Sequence, residues 1–512
     1  MAETAVEMED LVAWLRALAP SAQLTSDSRQ VNAGDVFFAY PGDTADGRDH
    51  IAAALQRGAG AVLYEDSDGY AWDAAANVPH RGLAGLKRQA GALANAWYGK
   101  PDAGMQVVAV TGTNGKTSCS QWLGRALSRQ GVPTLVVGTL GTGIYRNGMA
   151  GNFSGTGYTT PDAVLLQRRL AQARGSGARA LAIEASSIGL DQGRLNGLHI
   201  DTALFTNFTR DHLDYHGAME AYESAKRSLF DWPGLRHAVI NLDDDMGHRL
   251  LAHVRRRTPS VEVIGYSIAG AKADGVPVLR AADIRVSNSG TVFQISTPQG
   301  AAQVRTQLVG HFNVSNVLGI AGVLLARGTA LRTVVELLEE LQSVPGRMQQ
   351  LGGQEAPLVI IDYAHTPDAL EKTLATLREV TRQRHGRLWC VFGCGGERDP
   401  GKRPQMGAVA TAADHVIVTS DNPRGESPAH IIEQIIEGMK ISNAMQRAPH
   451  VIEDRAAAIL YAIKHASRAD VVLLAGKGHE TYQEIKGRKL PFLDADHAAL
   501  SLAARVTMKG AL

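Results

Sequence analysis

A glycine-rich turn near residue 112 carries the most specific chemistry in the sequence. The apolar stretch Val107–Val110 runs into TGTNGKTS at residues 111–118, and a segment of helical pattern follows. Glycines let backbone N–H groups face a polyphosphate, and the positive end of a helix dipole favours bound phosphate. A lysine in this position reaches the terminal phosphates, and the following hydroxyl can coordinate Mg²⁺. The turn predicts a nucleoside triphosphate site formed by Gly112, Thr113, Asn114, Gly115, Lys116, Thr117 and Ser118.

The turn departs from the generic phosphate-binding pattern at one position. That pattern has a glycine where this chain has Val110. The alternative is a glycine-rich strand–helix turn that binds no ligand. We disfavour it because the strand, the Gly-Lys-Thr sequence and the helix occur together, and each is needed for a phosphate site.

Four later loops also combine polar side chains with apolar stretches that read as strands. The loops are DYAHTPD, GCGGERD, SDNPRGE and AGKGHE, and they follow Leu358–Ile361, Leu388–Phe392, His415–Thr419 and Val471–Leu474. Ligands of open α/β sheets bind at the carboxyl ends of the strands. These loops therefore predict a second binding site in the last third of the chain.

The elements that must position these loops fall into three blocks. Residues 1–103 mix short helices with short strands, such as Asp35–Ala39 and Ala61–Tyr64, and end in a helical run from Gly82 to Trp97. Residues 104–342 alternate buried-looking strands with helical segments, which predicts a mainly parallel sheet. An antiparallel extension with a Ser289-Gly290 turn is expected at 276–309. Residues 343–512 contain the four strand–loop units.

The predicted fold class is therefore α/β with three domains. We expect a small mixed α/β domain, a central P-loop domain with a parallel sheet, and a C-terminal Rossmann-like α/β domain. The strands predicted for the central sheet are Val107–Val110, Thr134–Val137, Ala180–Ile183, Thr202–Phe205 and Ala238–Asn241. The length of 512 residues agrees with this division, since domains typically span roughly 100–200 residues.

Composition excludes several classes of protein. A formal net charge of +1 argues against a general nucleic-acid binder, which would be strongly basic. Three cysteines are too few for a disulfide framework or a zinc site. The N-terminus is acidic and amphipathic, unlike a signal peptide, and no stretch approaches the roughly 20 apolar residues that cross a bilayer. We expect a cytoplasmic protein without membrane insertion.

The glycine-rich turn and several later motifs resemble those of the Mur ligases and their relative folylpolyglutamate synthase. The later motifs are EASS from Glu184, TNFTRDHLDYHG from Thr206, YESAKRSLF from Tyr222, GHFNVSN from Gly310, PGRMQ from Pro345 and DYAHTP from Asp362. They extend over essentially the whole chain in the family's order. The resemblance implies an ATP-dependent ligase that activates a carboxylate as an acyl phosphate, which an amine then attacks.

The resemblance implies roles for residues beyond the turn. Lys116, Glu184, His212 and Lys226 are expected to be catalytic, and Mg²⁺ is expected on Thr117, Glu184, His212 and a carbamylated Lys226. A carbamate is an anionic ligand, whereas an ammonium would repel the cation. Nucleotide contacts are expected from Asn313, Asn316, Arg347 and Asp362. Considered singly, His212 and Lys226 would more often be an ordinary histidine and a solvated helix residue.

The first block resembles the uridine-nucleotide-binding module of the family. Its expected contacts are Ser26, Ser28, Asp43, Thr44 and Ala45, which alone would be ordinary turn residues. Positions that match the muramoyl-dipeptide site are Tyr158, Thr159, Thr160, Ser186, Gln192 and Arg194. An arginine in such a place suits a carboxylate or phosphate because its donors form a fork. The expected substrate is UDP-N-acetylmuramoyl-L-alanyl-D-glutamate.

The DNPR sequence at Asp421–Arg424 accompanies meso-diaminopimelate as the added amino acid in this family. Diaminopimelate is lysine with a further carboxylate, which an arginine can bind through two hydrogen bonds. Lysine would leave a buried arginine without its partner. The residues expected to bind this amino acid are Arg398, Asp421, Asn422, Pro423, Arg424, Gly476 and Glu480, with Asp421 and Asn422 receiving the distal ammonium. Alone, DNPR would more often be a turn with a solvent-exposed arginine.

Three alternatives remain at this point. Two are ligases of the same family, a lysine-adding enzyme and folylpolyglutamate synthase, and the third is a nucleotide-dependent switch without ligase activity. The first block and the DNPR sequence disfavour folate ligation, and the candidates for metal and amino-acid binding disfavour a switch. We expect a monomer whose third domain closes onto the P-loop domain.

Overall fold

The computed structural model describes residues 2–42, 45–67, 69–287, 289–441 and 448–509. Two expected uridine-site residues, Asp43 and Thr44, lie outside these ranges. The described residues form one sheet in each third of the chain, together with a separate two-stranded hairpin. The α/β class and the three-part organisation expected from the sequence are confirmed.

The N-terminal sheet is parallel, with strand order β1-β2-β3-β4. Its strands are β1 (Leu24–Thr25), β2 (Val36–Ala39), β3 (Ala61–Glu65) and β4 (His80–Leu83), and its helices are α1 (Ala2–Leu18), α2 (Ile51–Gln56) and α3 (Leu86–Trp97). The helix predicted from Gly82 is wrong at its start, because Gly82 and Leu83 belong to β4. Gly85 then takes φ +73°, and its N–H donates to the Glu65 carboxylate at 2.5 Å, so α3 begins only afterwards.

The central sheet has the order β15-β14-β13-β12-β11-β10-β5-β9-β6-β7-β8. Its strands are β5 (Gln106–Thr111), β6 (Thr134–Gly138), β7 (Gly141–Arg146), β8 (Met149–Ala150), β9 (Ala180–Glu184), β10 (Thr202–Phe205), β11 (His237–Asn241), β12 (Glu262–Ser267), β13 (Val278–Ser287), β14 (Gly290–Thr297) and β15 (Gly300–Thr306). The associated helices are α4 (Lys116–Arg129), α5 (Ala163–Gly175), α6 (Ser187–Asp191), α7 (Leu213–His216), α8 (Met219–Arg227), α9 (Asp245–Arg257), α10 (His311–Ala326) and α11 (Leu331–Glu339).

Strand β5 shows why this sheet is parallel and buried on both faces. Val108 and Val110 pack against α4 and α10 on one side, whereas Val107 and Ala109 face the cluster that includes α5 and α9. A strand covered on both faces must be apolar throughout, as the sequence is here. The expected antiparallel extension is present in β13, β14 and β15, although β13 joins the sheet through a parallel pairing with β12.

The C-terminal sheet has the order β16-β17-β21-β18-β19-β20. Its strands are β16 (Gln349–Gly352), β17 (Leu358–Asp362), β18 (Leu388–Phe392), β19 (His415–Val418), β20 (His450–Val451) and β21 (Val471–Ala475), followed by the hairpin β22 (Tyr482–Ile485) and β23 (Arg488–Pro491). Its helices are α12 (Pro367–Gln383), α13 (Lys402–Ala410), α14 (Pro428–Ile441), α15 (Arg455–His465) and α16 (Asp494–Lys509).

The four polar loops of the third block follow β17, β18, β19 and β21, which are neighbouring parallel strands. Their carboxyl ends therefore lie on one edge of the sheet, as expected from the sequence. Within the described ranges, no helix combines the length and apolar character that a membrane crossing requires.

Candidate active site

The phosphate-binding turn connects β5 to α4 in a conformation that only glycine adopts easily. Gly115 takes φ +88° directly before the helix, and a Cβ added there would lie 2.7 Å from Oδ1 of Asn316. The backbone N–H of Asn114 donates to Oδ1 of Asn207 at 2.9 Å, and Thr206 Oγ1 donates to the carbonyl of Asn114 at 2.6 Å. The turn thus lies between two neighbours: Thr206 and Asn207, which follow β10, and Asn316 on helix α10.

Gly115→Ala is expected to lower the free energy of unfolding by about 1–3 kcal/mol, because alanine is strained at this φ and its methyl would press on Asn316. It should also weaken ATP binding. Urea denaturation and nucleotide titration measure the two effects. Gly177→Ala is the control, since Gly177 has φ +87° with open space around an added Cβ. Equal losses in the two variants would exclude a role for the contact with Asn316.

Two lysine amines meet at one carbonyl of the turn. Nζ of Lys116 donates to the carbonyls of Gly112 and Thr113 at 2.8 and 2.9 Å, and Nζ of Lys226 also donates to Gly112 at 2.8 Å. Lys226 is only 1% exposed, and burial, reinforced by the charge of Lys116, holds its pKa well below the usual value. Desolvation also lowers the pKa of Lys116, opposed by the charges of Glu184 and Asp211. Both lysines therefore lose a proton more readily than an exposed lysine does.

Glu184 ends β9 as a buried carboxylate beside the first turn of α4. Its Oε2 accepts hydrogen bonds from Thr117 Oγ1 and Thr139 Oγ1, both at 3.0 Å, and its Oε1 accepts one from the Thr139 N–H at 2.9 Å. Carboxylate and hydroxyl oxygens are the ligands that Mg²⁺ prefers. The oxygens of Glu184 and Thr117 are thus close enough to share one divalent cation.

His212 lines the same cavity in a left-handed backbone conformation, with φ +52°. Burial lowers its pKa to about 4, although the charge of neighbouring Asp211 opposes the shift. The imidazole is therefore neutral at physiological pH, the form in which histidine binds metals. Among the described residues, no three His, Cys, Asp or Glu side chains cluster as a metal site. The expected set does not require such a cluster, since it adds Thr117 and a carbamate to Glu184 and His212.

The C-terminal domain contributes directly to the phosphate end of the site. Nη2 of Arg347 donates to Thr117 Oγ1 at 3.2 Å, and its guanidinium lies 4.2 Å from the centre of the Tyr363 ring. Asp362 accepts a hydrogen bond from the Met348 N–H at 2.8 Å. Desolvation raises the pKa of Asp362, and the charge of Arg347 opposes this. Arg347 thus contacts the P-loop, and Arg347 and Asp362 both line the cavity beside it.

A cavity of about 930 Å³ joins these groups. It contains most of the residues expected to bind ATP, together with part of the expected dipeptide site. The expected residues that line it are Thr113, Asn114, Gly115, Lys116, Thr117, Ser118, Tyr158, Thr159, Glu184, Ser186, Gln192, Arg194, His212, Asn313, Asn316, Arg347, Asp362 and Arg398. Gly112, in the turn, and Lys226 do not line the cavity, and Nζ of Lys226 donates to the Gly112 carbonyl.

The expected dipeptide-binding residues form one network. Arg194 donates to the Thr160 carbonyl at 2.8 Å and to Gln192 at 2.7 Å, and its guanidinium lies 4.6 Å from the Tyr158 ring centre. Thr160 in turn donates to the carbonyl of Glu184 at 2.7 Å and contacts the Ser186 hydroxyl at 2.9 Å. The dipeptide region is therefore connected to the backbone of Glu184, whose carboxylate lies at the phosphate site.

The described uridine-site residues do not line the cavity. Ser26 donates to Asp162 at 2.9 Å, which connects the first domain to the start of α5. Ser28 is half-buried in a short 3₁₀ turn, and Ala45 is exposed. Their expected role in binding uridine remains a prediction.

Most residues of the amino-acid loops lie outside the cavity, at the edge of the C-terminal sheet, whereas Arg398 lines it. Gly476 takes φ +108° beside Asp421, and a Cβ there would lie 2.7 Å from Asp421 Oδ2. Arg424 follows Pro423, takes φ +51°, and donates to the Gly396 carbonyl at 2.6 Å. Its Nε also lies 3.5 Å from Oε2 of Glu484. The premise that Arg424 lacks a partner without the substrate carboxylate is therefore wrong.

Several side chains at the site were missed by the sequence reasoning. Asp211 lies 3.7 Å from His365 of the C-terminal domain, and burial, which raises the pKa of Asp211, is outweighed by its interactions with His365, His212 and Lys402, which lower it. Lys477 is fully buried between amino-acid loops. Asp211, His365 and Lys477 belong to the TRDH, DYAHTPD and AGKGHE sequences, so the motifs could have indicated all three residues. Thr139, which holds Glu184, follows β6 without any such signal.

Three family profiles match the chain. The Mur ligase family, catalytic domain, matches residues 22–96, the Mur ligase middle domain matches 110–324, and the Mur ligase, glutamate ligase domain, matches 346–478. Together they account for most of the sequence and for each of the three sheets.

Curated relatives and a solved structure agree with the profiles. A UDP-N-acetylmuramoyl-L-alanyl-D-glutamate–2,6-diaminopimelate ligase from Janthinobacterium sp. (strain Marseille) is 64% identical over 99% of both chains. A ligase of the same name from Ralstonia nicotianae is 52% identical over 98% of both. A solved structure of a ligase with this name is 37% identical, with a TM-score of 0.66 over 94% of this chain and 95% of that one. This chain therefore belongs to the Mur ligase family.

Proposed function

We propose that this chain is an ATP-dependent ligase that joins meso-diaminopimelate to UDP-N-acetylmuramoyl-L-alanyl-D-glutamate in peptidoglycan synthesis. One observation carries the proposal: Lys116 of the P-loop, the carboxylate of Glu184 and the Arg194 network line a single cavity. Such a cavity can bring an anionic carboxylate to a nucleotide phosphate. The names of the curated relatives support the choice of both substrates.

The reaction requires two negative groups to meet. A carboxylate oxygen of the glutamyl substrate attacks the γ-phosphorus of ATP, the bond to ADP breaks, and an acyl phosphate forms. The amine of diaminopimelate then attacks the acyl carbon, phosphate leaves with the electrons of the C–O bond, and the amine loses a proton. Lys116 and Arg347 supply the positive charge that offsets the repulsion, and positioned charge of this kind is a main source of catalysis in phosphoryl transfer.

A bound Mg²⁺ would assist the transfer of the γ-phosphoryl group from ATP to the carboxylate. We propose that Thr117, Glu184, His212 and Lys226, the last as a carbamate, hold Mg²⁺. When bound, this cation neutralises phosphate charge. The donors are oxygen-rich, as Mg²⁺ prefers, and the neutral His212 adds a nitrogen. Asn313 and Asn316, at the start of α10, and Asp362 are the proposed nucleotide contacts.

Lys226 is expected to react with CO₂ to give a carbamate and a proton. Burial lowers the pKa of its amine. The unprotonated amine, which a lower pKa makes more abundant, is the form that attacks CO₂. With ¹³C-bicarbonate, the wild-type protein should show a carbamate carbon resonance that is lost in Lys226→Met. The exposed Lys440 provides the control, since Lys440→Met should keep the resonance. A signal that persists in Lys226→Met would assign the carbamate to another amine.

We further propose three functional units with bounds 1–103, 104–342 and 343–512, acting in a cytoplasmic monomer. The first would hold the uridine nucleotide through Ser26, Ser28 and the segment that includes Asp43, Thr44 and Ala45. The monomer is supported by the cavity, because residues of the central and C-terminal domains of one chain line it together. Sedimentation velocity at working concentration measures the mass, and a dimer would contradict the proposal.

Phosphate release with ATP and the UDP-muramoyl-dipeptide, compared across amino acids, tests the function. Diaminopimelate should stimulate release far more than lysine. Stimulation mainly by lysine would identify the lysine-adding activity, and release with a folate and glutamate would identify folylpolyglutamate synthase. Hydrolysis independent of every amino acid would indicate a nucleotide switch.

A further inference from the structure

Lys477 is a fully buried lysine in the AGKGHE loop, with 0% of its surface exposed. Its Nζ donates to Asn422 Oδ1 at 3.1 Å, Glu480 Oε2 at 3.0 Å and the Tyr482 carbonyl at 2.7 Å. An ammonium has three N–H donors, so none is left for a substrate. Lys477 is therefore an internal cation that connects the DNPR loop, the AGKGHE loop and strand β22.

These contacts fix the orientation of the Asn422 side chain. Its Oδ1 accepts from Lys477 and from the Glu484 N–H at 2.9 Å, while its Nδ2 donates to Glu480 Oε2 at 2.7 Å. A flipped amide would place N–H groups against the ammonium. The oxygen of Asn422 is thus occupied, which removes it as the expected acceptor of a substrate ammonium. One N–H of Asn422 can still donate to a substrate carboxylate.

Glu480 keeps one oxygen for a ligand. Its Oε2 receives both Lys477 and Asn422, whereas Oε1 accepts no hydrogen bond from any described residue. The free N–H of Asn422 and the free oxygen of Glu480 form a donor and an acceptor side by side. This combination matches an amino-acid end that carries both a carboxylate and an ammonium.

The charges around the loops are almost balanced. Four ion pairs lie in and around these loops. They are Lys477 with Glu480 at 3.0 Å, Arg424 with Glu484 at 3.5 Å, Arg403 with Glu426 at 2.9 Å, and the fully buried Arg455 with Asp494 at 2.7 Å. Asp421 is 8% exposed, and its carboxylate accepts no hydrogen bond within the described part of the chain. Asp421 is thus the one carboxylate of the SDNPRGE and AGKGHE loops without an ion-pair partner among the described residues, which suits a ligand ammonium.

Given the ligase function proposed above, we propose that Lys477 is a positioning residue that sets amino-acid specificity. By neutralising Glu480 and orienting Asn422, it leaves Asp421 as the carboxylate of the two loops that has no ion-pair partner within the described residues. The site then accepts a substrate end that bears an ammonium and a carboxylate. Without Lys477, both Asp421 and Glu480 lack an ion-pair partner, so the extra negative charge repels the distal carboxylate of diaminopimelate. Lysine has no distal carboxylate and loses less.

The test compares kcat/KM for diaminopimelate and for lysine in the full chain. In Lys477→Met, kcat/KM for diaminopimelate is expected to fall about 30-fold or more, and the diaminopimelate-to-lysine ratio about tenfold, since a buried charge has lost its partner. The KM for ATP should not change. Lys489→Met is the matched control, because Lys489 is exposed on β23 and contacts the Tyr482 ring.

A second variant separates charge from packing. Lys477→Met with Glu480→Gln removes both members of the ion pair, and the diaminopimelate-to-lysine ratio should move back toward the wild-type value. Equal losses for both amino acids in Lys477→Met, or a raised KM for ATP, would reduce Lys477 to a structural role and overturn the proposal. Wild-type protein that consumes no ATP with any amino acid would instead refute the ligase function itself.

Discussion

Lys116→Ala is expected to lower ATP-dependent phosphate release by about 100–1,000-fold, the loss typical when one positioned group that stabilises transition-state charge is removed. The amine of Lys116 lies within the phosphate-binding turn, on the carbonyls of Gly112 and Thr113. In the variant, Arg347, which donates to Thr117 Oγ1, still supplies positive charge at this end of the cavity. The effect is measured as phosphate release from ATP at saturating concentrations of the UDP-muramoyl-dipeptide and diaminopimelate.

The fold should tolerate the loss of Lys116, since its two hydrogen bonds are made to a loop and not to the core. Thermal unfolding of Lys116→Ala should therefore stay close to that of the wild type. Arg129→Ala is the control on the same helix, because Arg129 is exposed and pairs with Glu340 at 2.7 Å. Turnover by Lys116→Ala near the parent rate would refute the P-loop assignment.

The local parts of the site could be read from the sequence because each is a short continuous motif. The turn at 111–118 requires only a strand, two glycines at positive φ and a helix start, and these are local properties. Glu184 was identified through the resemblance of its EASS motif to the family, and a carboxylate at the end of an apolar strand also needs a partner. The structure supplies that partner as Thr117 and also as Thr139.

Contacts between distant segments could not be read in this way. Thr139 reaches Glu184 because β6 and β9 are adjacent, and Asp211 reaches His365 because two domains meet. Both depend on tertiary placement that no local pattern encodes. The same limit explains the error at Arg424, whose partner Glu484 lies on a hairpin 60 residues further along the chain.

The fold shows the same division between local and distant information. Strands such as β10 and β18 have the bounds expected from apolar runs, because parallel strands covered on both faces are continuously apolar. The start of α3 was wrong because the apolar and small residues near Gly82 also suit a strand. Residues 82 and 83 form a strand and not a helix because β4 pairs with β3 and because Gly85, in a left-handed conformation, precedes the helix.

Arg424→Ala is expected to lower kcat/KM for diaminopimelate by about 10–100-fold, since a charged hydrogen-bonding partner of the distal carboxylate is lost. The loss for lysine should be much smaller. The backbone of Arg424 is held by β22, through its N–H to the Glu484 carbonyl at 3.0 Å and the Lys486 N–H to its own carbonyl at 2.7 Å. These bonds persist in the variant, so the loop should keep its place.

Glu484 should increase the difference between the losses for diaminopimelate and for lysine in Arg424→Ala. In the wild type it already lies 3.5 Å from Arg424, so an incoming carboxylate must share or replace that partner. In Arg424→Ala, Glu484 loses its cation and opposes the distal carboxylate, whereas the distal ammonium of lysine is unaffected by this repulsion. Arg488→Ala, at an exposed position of β23, should change neither amino acid. Equal losses for diaminopimelate and lysine would exclude Arg424 from specificity, because removing it would then act on the loop and not on the carboxylate.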